Sequence, residues 1–393
     1  MQYRRFGRTE LLMPVFSCGG MRYQQQWQDT TWDRINDDSQ DNIEKIINRS
    51  LECGINHIET ARGYGTSEMQ LGKILPKLPR DKMIVQTKVS PTENPGEFRK
   101  NFETSFDYLK LDYVDLLGLH GVNTPQLLEW AIRPGGCLDV AKSLQAEGKV
   151  RFIGFSTHAP TDVIIKAIET DSFDYVNLHW YYINQSNWPA IEAATRHDMG
   201  VFIISPSNKG GLLYQPSQKL IDLCAPLSPM VFNNLFCLSH PQVHTLSIGA
   251  SQTQDFDEHL LTLPLLDYAD EILPPIIARL EEEAIKKLGE DWVKTWQIGL
   301  PTQENTPGNI NIHAILWLWN LTIAYDMVEY GKFRYNLLGN GGHWFPGKKA
   351  DTLAQYDLKP CLAQSPHADK ILEVLQECDR VLGGESVKRL SQQ

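Results

Sequence analysis

Eight short runs of apolar residues, each turning polar only at its end, alternate with segments of helical periodicity. The runs are PVFSCGG (14–20), HIETA (57–61), MIVQTKV (83–89), YVDLLGLH (113–120), RFIGFSTH (151–158), YVNLHWYY (175–182), GVFIISP (200–206) and VHTLSIGA (243–250). A strand covered on both faces reads this way, because neither face meets water. The helical segments are 40–53, 68–76, 97–110, 125–147, 161–170, 189–198, 216–225 and 254–262. Several open on start signals, such as Ser67 before EMQLGKIL and Thr161-Asp162 before VIIKAI. This alternation predicts an α/β fold, a (β/α)8 TIM barrel. A doubly wound sheet is disfavoured, since no G-x-G-x-x-G follows any strand.

After about residue 280 the alternation stops. A charged helix, EEEAIKKLG, leads into LPTQENTPGN, then a Trp-rich helix, the loop NLLGNGGHWFPGKKAD and a last helix, ADKILEVLQECDRVL. The chain of 393 residues therefore divides into a barrel, 1–280, and a smaller, mostly helical domain, 281–393. A net charge of −11 offers no basic field for phosphates, which argues against a nucleic-acid binder. The most apolar stretch, INIHAILWLWNLTIA (310–324), is broken by His313 and Asn320 and falls short of the roughly 20 residues a span needs. The N-terminus, MQYRRFGRTELLMPVF, has no apolar run of signal-peptide length. Seven cysteines, an odd number with no C-x-x-C pair, suggest reduced thiols and a cytoplasmic protein. No H-E-x-x-H occurs, and GHWFPGKK puts Lys349 where a phosphate loop needs Ser or Thr, so neither a catalytic metal nor a P-loop is expected.

A barrel of this kind places its chemistry at the C-terminal ends of its strands. Polar residues gather there: Glu59, Lys88, His120, the trio Ser156-Thr157-His158, Asn177 and Ser205. Tyr64 stands on the turn RGYG just beyond Glu59. A free phenol has a pKa near ~10, too high for a good proton donor at neutral pH. A neighbouring ammonium favours the phenolate and lowers that value, while a carboxylate keeps the ammonium charged and oriented. A histidine at the same mouth can hold a carbonyl oxygen. Taken singly, each residue has a plainer structural reading, as a salt-bridging lysine, a satisfied histidine or a packing tyrosine. Their joint placement on three successive strand ends favours a site that protonates a carbonyl as it receives a hydride.

These segments resemble the aldo-keto reductases. The resemblance rests on YRRFGRTELLMPVFSCGGMR, INHIETARGYGTSEMQLGKIL, IVQTKVSP, DYVDLLGLHGVN, GKVRFIGFSTH and LSIGAS, and covers about residues 1–265. It implies a barrel that binds NADPH or NADH and acts on a small aldehyde or ketone. Tyr64 would be the general acid, Lys88 its tuner and His120 the substrate-orienting residue. Glu59 takes the place of the family's aspartate, with an arm one methylene longer. The resemblance also implies a cofactor site of Met21, Arg22, Ser156, Thr157, Asn177, Ile204, Ser205, Lys209, Gly249, Ala250, Ser251, Asp255, Glu258 and His259. Asn177 stands where the family often has Gln, and Ile204 where many members stack an aromatic ring. Asp255 replaces a basic residue that clamps the 2′-phosphate of NADPH. The competing reading is a non-catalytic nucleotide-sensing, regulatory or scaffold protein on the same barrel.

A second resemblance lies in the tail. One branch of the family follows its barrel with a ferredoxin-like module holding two clusters of four cysteines. The framing residues PGNINIHAILWLWN, EYGKFRYNLL and GHWFPGKKAD are present, but 291–308 has no cysteine and 350–366 only Cys361. The expectation is a degenerate module without an iron–sulfur cluster. Burial would hold it, with Trp317, Trp319, Phe333, Tyr335 and Trp344 as core or contact residues, and Cys378 as a small hydrophobe. Its surface would be open to a protein partner.

Overall fold

The structure, a computed structural model, describes residues 1–392. It opens on an antiparallel hairpin, β1 (Tyr3–Arg5) and β2 (Leu12–Pro14). Eight parallel strands follow: β3 (Phe16–Gly19), β4 (His57–Glu59), β5 (Ile84–Val89), β6 (Val114–Leu119), β7 (Val150–Ser156), β8 (Tyr175–Leu178), β9 (Gly200–Ile203) and β10 (Thr245–Ile248). They close into a barrel in chain order, with β10 pairing back onto β3. Each of the eight runs expected to be a strand overlaps one, β7 starting one residue early at Val150, and the fold is a (β/α)8 TIM barrel.

Every residue of β5 and β6 is buried, as their unbroken apolar pattern requires. Phe6, Met13, Ile84, Leu116, Tyr175 and Phe202 form an interior cluster. Gly154 makes room for one member: a Cβ there would lie 2.5 Å from the Tyr175 ring. The single helix expected over 125–147 is two, Pro125–Ile132 and Cys137–Ala146. Pro134-Gly135-Gly136 separates them, with Gly135 at φ +72° in the left-handed region. The helix Pro229–Leu238 was not expected from the sequence.

The chain forms two compact units, one of residues 1–210 and 233–269, the other of 211–232 and 270–393. The boundary drawn at 280 falls inside the helix Ala269–Leu288. Residues 211–232 group with the C-terminal part through specific bonds. Ser217 Oγ donates to the Tyr325 carbonyl at 2.7 Å, Arg279 donates to the Leu223 carbonyl at 3.0 Å, and Lys219 pairs with Glu283 at 2.7 Å.

In this second unit the helices Ile312–Tyr325, Val328–Tyr335 and Ala368–Leu382 pack together. The core is mainly aliphatic: Ile315, Leu316, Leu318, Ile371, Leu375 and Leu382 are fully enclosed. Of the five aromatic residues expected there only Tyr335 is fully buried, and its hydroxyl donates to Asp379 at 2.7 Å. Trp317, Trp319, Phe333 and Trp344 are half-buried. Cys378 is fully enclosed. Among the described residues no single helix is long and apolar enough to cross a membrane.

Candidate active site

Three consecutive strands or their following turns bring the expected catalytic residues to one end of the barrel. Glu59 closes β4 and Lys88 lies near the end of β5. His120 follows β6, its backbone N–H donating to the Val89 carbonyl at 2.8 Å and so extending the ladder by one step. Tyr64 sits on the turn after β4, held by its N–H donating to the Ala61 carbonyl at 2.9 Å. Gly20, after β3, presses against β4: its N–H donates to the Glu59 carbonyl at 2.7 Å, and a Cβ would lie 2.6 Å from that oxygen.

Lys88 and Glu59 are both buried and in direct contact, Nζ to Oε1. Lys88 also donates to the Thr60 carbonyl at 2.8 Å. The extra methylene of Glu59 therefore does not prevent pairing. Lys88 Nζ lies 4.8 Å from the centre of the Tyr64 ring, and the Tyr64 and His120 rings meet edge to face at 5.6 Å. Trp27, from the loop after β3, covers Tyr64 from another side at 6.5 Å. The four residues named from the sequence thus form one cluster, with Tyr64 at its centre and half-buried.

The electrostatics differ in sense from a simple lysine-tuned phenol. Burial raises the Tyr64 phenol above its ordinary value. Burial also pulls the Lys88 ammonium well below the usual lysine range. An amine that gives up its charge more readily does less to acidify a phenol, and contact with Glu59 is what favours the proton remaining on Lys88. Beneath this pair, His57 Nδ1 lies 2.6 Å from Ser17 Oγ, and burial, then the charge of Lys88, depresses the imidazole to about 3.

The residues expected to hold a dinucleotide occupy the next strand ends. Ser156 Oγ accepts from the Gly121 N–H at 3.0 Å, which leaves its own proton to donate. The Thr157 hydroxyl is committed to the Val122 carbonyl at 2.8 Å. Asn177 is fully buried, yet neither Oδ1 nor Nδ2 of its amide has a hydrogen-bond partner. Such an amide is costly unless a ligand satisfies it, and the carboxamide of a nicotinamide offers the matching donor and acceptor. The residues present therefore fit that group. Ile204 packs against the barrel cluster, and Ser205 takes a left-handed backbone at φ +54°.

Arg22, exposed and following Met21, lies over the loop of Gly249, Ala250 and Ser251: a Cβ on Gly249 would sit 2.9 Å from Arg22 Cδ. Asp255 folds back on this loop, accepting from the Ser251 amide at 2.7 Å and the Ser251 hydroxyl at 2.9 Å. Burial works to raise its pKa, but these bonds hold the carboxyl below its ordinary value. Glu258 is half-buried, whereas His259 is fully enclosed, with Nδ1 3.0 Å from Asn234 Nδ2. Lys209 reaches toward two imidazoles, His158 and His179.

Residues 16–229 match the sequence profile of the aldo/keto reductase family, more than half of the chain. The chain belongs to the aldo/keto reductase family. L-Galactose dehydrogenase of Arabidopsis thaliana is 30% identical over 161 residues, 38% of this chain and 49% of that protein. The NADH-specific methylglyoxal reductase of Escherichia coli is 26% identical over 155 residues, 34% of this chain and 46% of that one. The chain thus spans about half the length of the curated relatives it matches. Among solved structures, the holo form of an aldo-keto reductase from Bacillus halodurans superimposes with a TM-score of 0.59 at 20% identity, covering 71% of this chain and 96% of that one. A putative aldo-keto reductase from Pseudomonas aeruginosa gives 0.53 at 18% identity, covering 68% and 95%. At such identities the likeness shows the fold.

Several residues of this aldo/keto reductase site were not singled out from the sequence. The Thr60 carbonyl fixes Lys88, and Arg62 ties the turn of Tyr64 to the loop after β3 by pairing with Asp29. His179 sits two residues beyond Asn177, a spacing that strand alternation could have flagged. The Arg62–Asp29 pair joins residues 33 positions apart and leaves no local pattern. Among the described residues no group of three or more His, Cys, Asp or Glu is arranged to hold a metal ion.

Proposed function

We propose that this chain is an NAD(P)-linked oxidoreductase acting on an aldehyde or ketone, with Tyr64 as proton donor. The observation that carries the reading is the position of Tyr64, at the barrel mouth between His120 at 5.6 Å and Lys88 at 4.8 Å. Ser156 and the orphaned amide of Asn177 would hold the carboxamide of a nicotinamide, which when bound supplies or accepts the hydride. Tyr64, protonated at neutral pH, gives its proton to the carbonyl oxygen. His120 orients that oxygen, and Lys88, held by Glu59 and the Thr60 carbonyl, opposes the charge left on the phenolate. Trp27 over the Tyr64 ring shields the site from water.

Asp255 bears on the choice of dinucleotide. An acceptor-only carboxylate in the loop after β10 repels a 2′-phosphate and tolerates ribose hydroxyls, which favours NADH. Glu59 and Ile204, which depart from the residues the family resemblance implies, favour a second reading, a barrel that binds a nucleotide without turning over a carbonyl.

One experiment separates the two. Nicotinamide fluorescence is titrated with wild-type protein and with Tyr64→Phe, and both are then assayed on a panel of aldehydes. The enzymatic reading expects both proteins to bind NADH within a few fold of each other, and only the wild type to reduce an aldehyde. Binding without turnover in the wild type supports the second reading. Turnover unchanged by Tyr64→Phe removes Tyr64 from the mechanism.

A further inference from the structure

The chain carries 48 acidic against 37 basic residues, yet residues 330–350 contain no acid and include Lys332, Arg334, His343, Lys348 and Lys349. Residues 386–393 also lack an acid and add Lys388 and Arg389. The fold brings these two segments together. The Val387 N–H donates to the Asn336 carbonyl at 2.8 Å, Asn340 Nδ2 to the Val387 carbonyl at 3.3 Å, and Lys349 Nζ to the Gly384 carbonyl at 3.2 Å. Arg389 Cζ then lies 4.6 Å from the centre of the Trp344 ring, and Arg334 Cζ 3.9 Å from that of the adjacent Phe345. The His343 ring is 5.1 Å from Trp344, and desolvation, then the Arg389 charge, lowers its pKa. The result is one basic face built on aromatic rings, within the second unit. The acids at its border are Asp351, 3.6 Å from Lys349 Nζ, and exposed Glu385; Asp379 is turned to the Tyr335 hydroxyl.

The geometry limits what such a face can take. Its loop is closed by the Gly339 N–H donating to the Gly347 carbonyl at 2.8 Å, and a Cβ on Gly339 or Gly342 would meet nothing within 4 Å. The outer side is therefore open, and His343, Lys348 and Lys388 are exposed on it. A guanidinium lying on a ring is held in orientation, and a held fork can give a carboxylate two parallel hydrogen bonds. The same stacking argues against a lipid surface. Trp344 and Phe345 are half-buried and each has a cation over its ring, which leaves little apolar surface to enter an acyl layer. It also argues against single-stranded nucleic acid, whose bases stack on open rings. A centre of Arg and aromatic side chains is instead the composition of a protein interface.

We propose that residues 332–349 and 384–389 form a docking surface for an acidic protein partner, one that presents a segment rich in Asp and Glu. Charge complementarity selects this occupant. Lys348, Lys349 and Lys388 supply attraction that speeds the encounter, and the stacked Arg334 and Arg389 fix the register. Outside this face the chain is more acidic still than its net charge of −11, so it turns such a partner away elsewhere. The inference is independent of the dinucleotide reading, since no residue of that reading takes part.

The full chain is titrated into a fluorescein-labelled oligoglutamate peptide, followed by anisotropy, at about 0.01 M and about 0.15 M salt. The variants are Lys348→Glu/Lys388→Glu, Arg389→Gln and Arg389→Lys, with melting curves to check that each folds. Wild type is expected to bind, and to bind more weakly as salt rises. The double charge reversal should weaken binding by about tenfold or more. Arg389→Gln should also weaken it, and Arg389→Lys should recover only part, because the charge returns without the fork. A carbodiimide then joins peptide carboxylates to the lysine amines they touch. Peptide mapping of the wild type should find the links at Lys348, Lys349 or Lys388. Links confined to other lysines, affinities unchanged in all variants, or no binding by wild type at low salt would each overturn the surface. Binding of phosphatidylserine–phosphatidylcholine vesicles that the charge reversal abolishes, without binding of the peptide, would overturn the protein partner and make this face a membrane contact.

Discussion

Lys88 and Glu59 can neither be separated from each other nor returned to water without cost. Both are buried, and Lys88 is about 1% exposed. Removing one partner of such a pair strands the other charge in a low dielectric, which costs about 3–5 kcal/mol. Replacing both by neutral groups of similar size costs far less, because no unpaired charge remains. Lys88→Met is therefore expected to lower unfolding free energy by about that amount at pH 7, and Glu59→Gln/Lys88→Met to recover most of it. Urea unfolding of the two single variants and the double closes the cycle. Additive losses would mean that the contact between the two side chains contributes little, and that Lys88 is held by the Thr60 carbonyl instead. Reduction of an aldehyde should stay lost in both Lys88 variants, since the restored stability does not restore the charge beside Tyr64.

The loop after β3 is the element that turns this cluster into an enclosed site. Gln25 N–H donates to Gln70 at 2.9 Å, and Arg62 pairs with Asp29 and, at 3.3 Å, with buried Glu68. Trp32 packs on Tyr108 and lies 4.1 Å beneath the Lys110 ammonium. Gly65 admits the loop: it has φ +53°, and a Cβ there would lie 1.9 Å from the Gln26 carbonyl and 2.6 Å from Trp27 Cα. Gly65→Ala combines a backbone cost of roughly 1–2 kcal/mol with that clash. The loop should lift away from Tyr64, seen as a melting temperature lower by several degrees and faster chymotryptic cleavage near Trp27. An unchanged cleavage rate would show that the loop is held without the turn.

The elements themselves were legible because a buried parallel strand needs a continuous apolar run, and few other structures do. The break at Pro134–Gly136 was legible in principle, since two glycines after a proline rarely continue a helix. The hairpin of β1 and β2 was harder, as its strands have only three residues each. At the site, chain position located Glu59, Tyr64, Lys88 and His120 well, because strand ends fix where a residue sits. It said little about where a side chain is spent. His259 turns inward to Asn234, and Asp255 back onto Ser251, through contacts that only the folded loop creates.

Two properties belong to the whole molecule. The first is its response to acid. His57 and His259 are fully buried, and burial depresses them to about 3 and about 4. Unfolding returns each to a value near 6.5. Between those limits the unfolded chain binds protons that the native chain refuses, so stability falls as pH drops from about 6.5 toward 4. Over its full window His57 can remove about 5 kcal/mol and His259 about 3 kcal/mol. Urea midpoints at pH 7, 6 and 5 should decline, and His259→Asn should flatten the decline relative to wild type. The second property is the absence of iron expected of the unit 211–232 and 270–393. A [4Fe–4S] cluster takes about four thiolates. This unit holds Cys224, Cys361 and Cys378, which makes three, and Cys224 and Cys378 are fully enclosed at 0% exposure. Burial also raises both thiols to about 12, which opposes the thiolate a cluster requires. Ile315, Leu316, Ile371 and Leu375, all fully enclosed, supply the core of this unit by apolar burial. Protein purified and reconstituted with iron and sulfide should stay colourless, and a strong chelator should leave its melting curve unchanged. Near-stoichiometric iron and sulfide with a brown colour would overturn this reading and make the second unit an electron carrier.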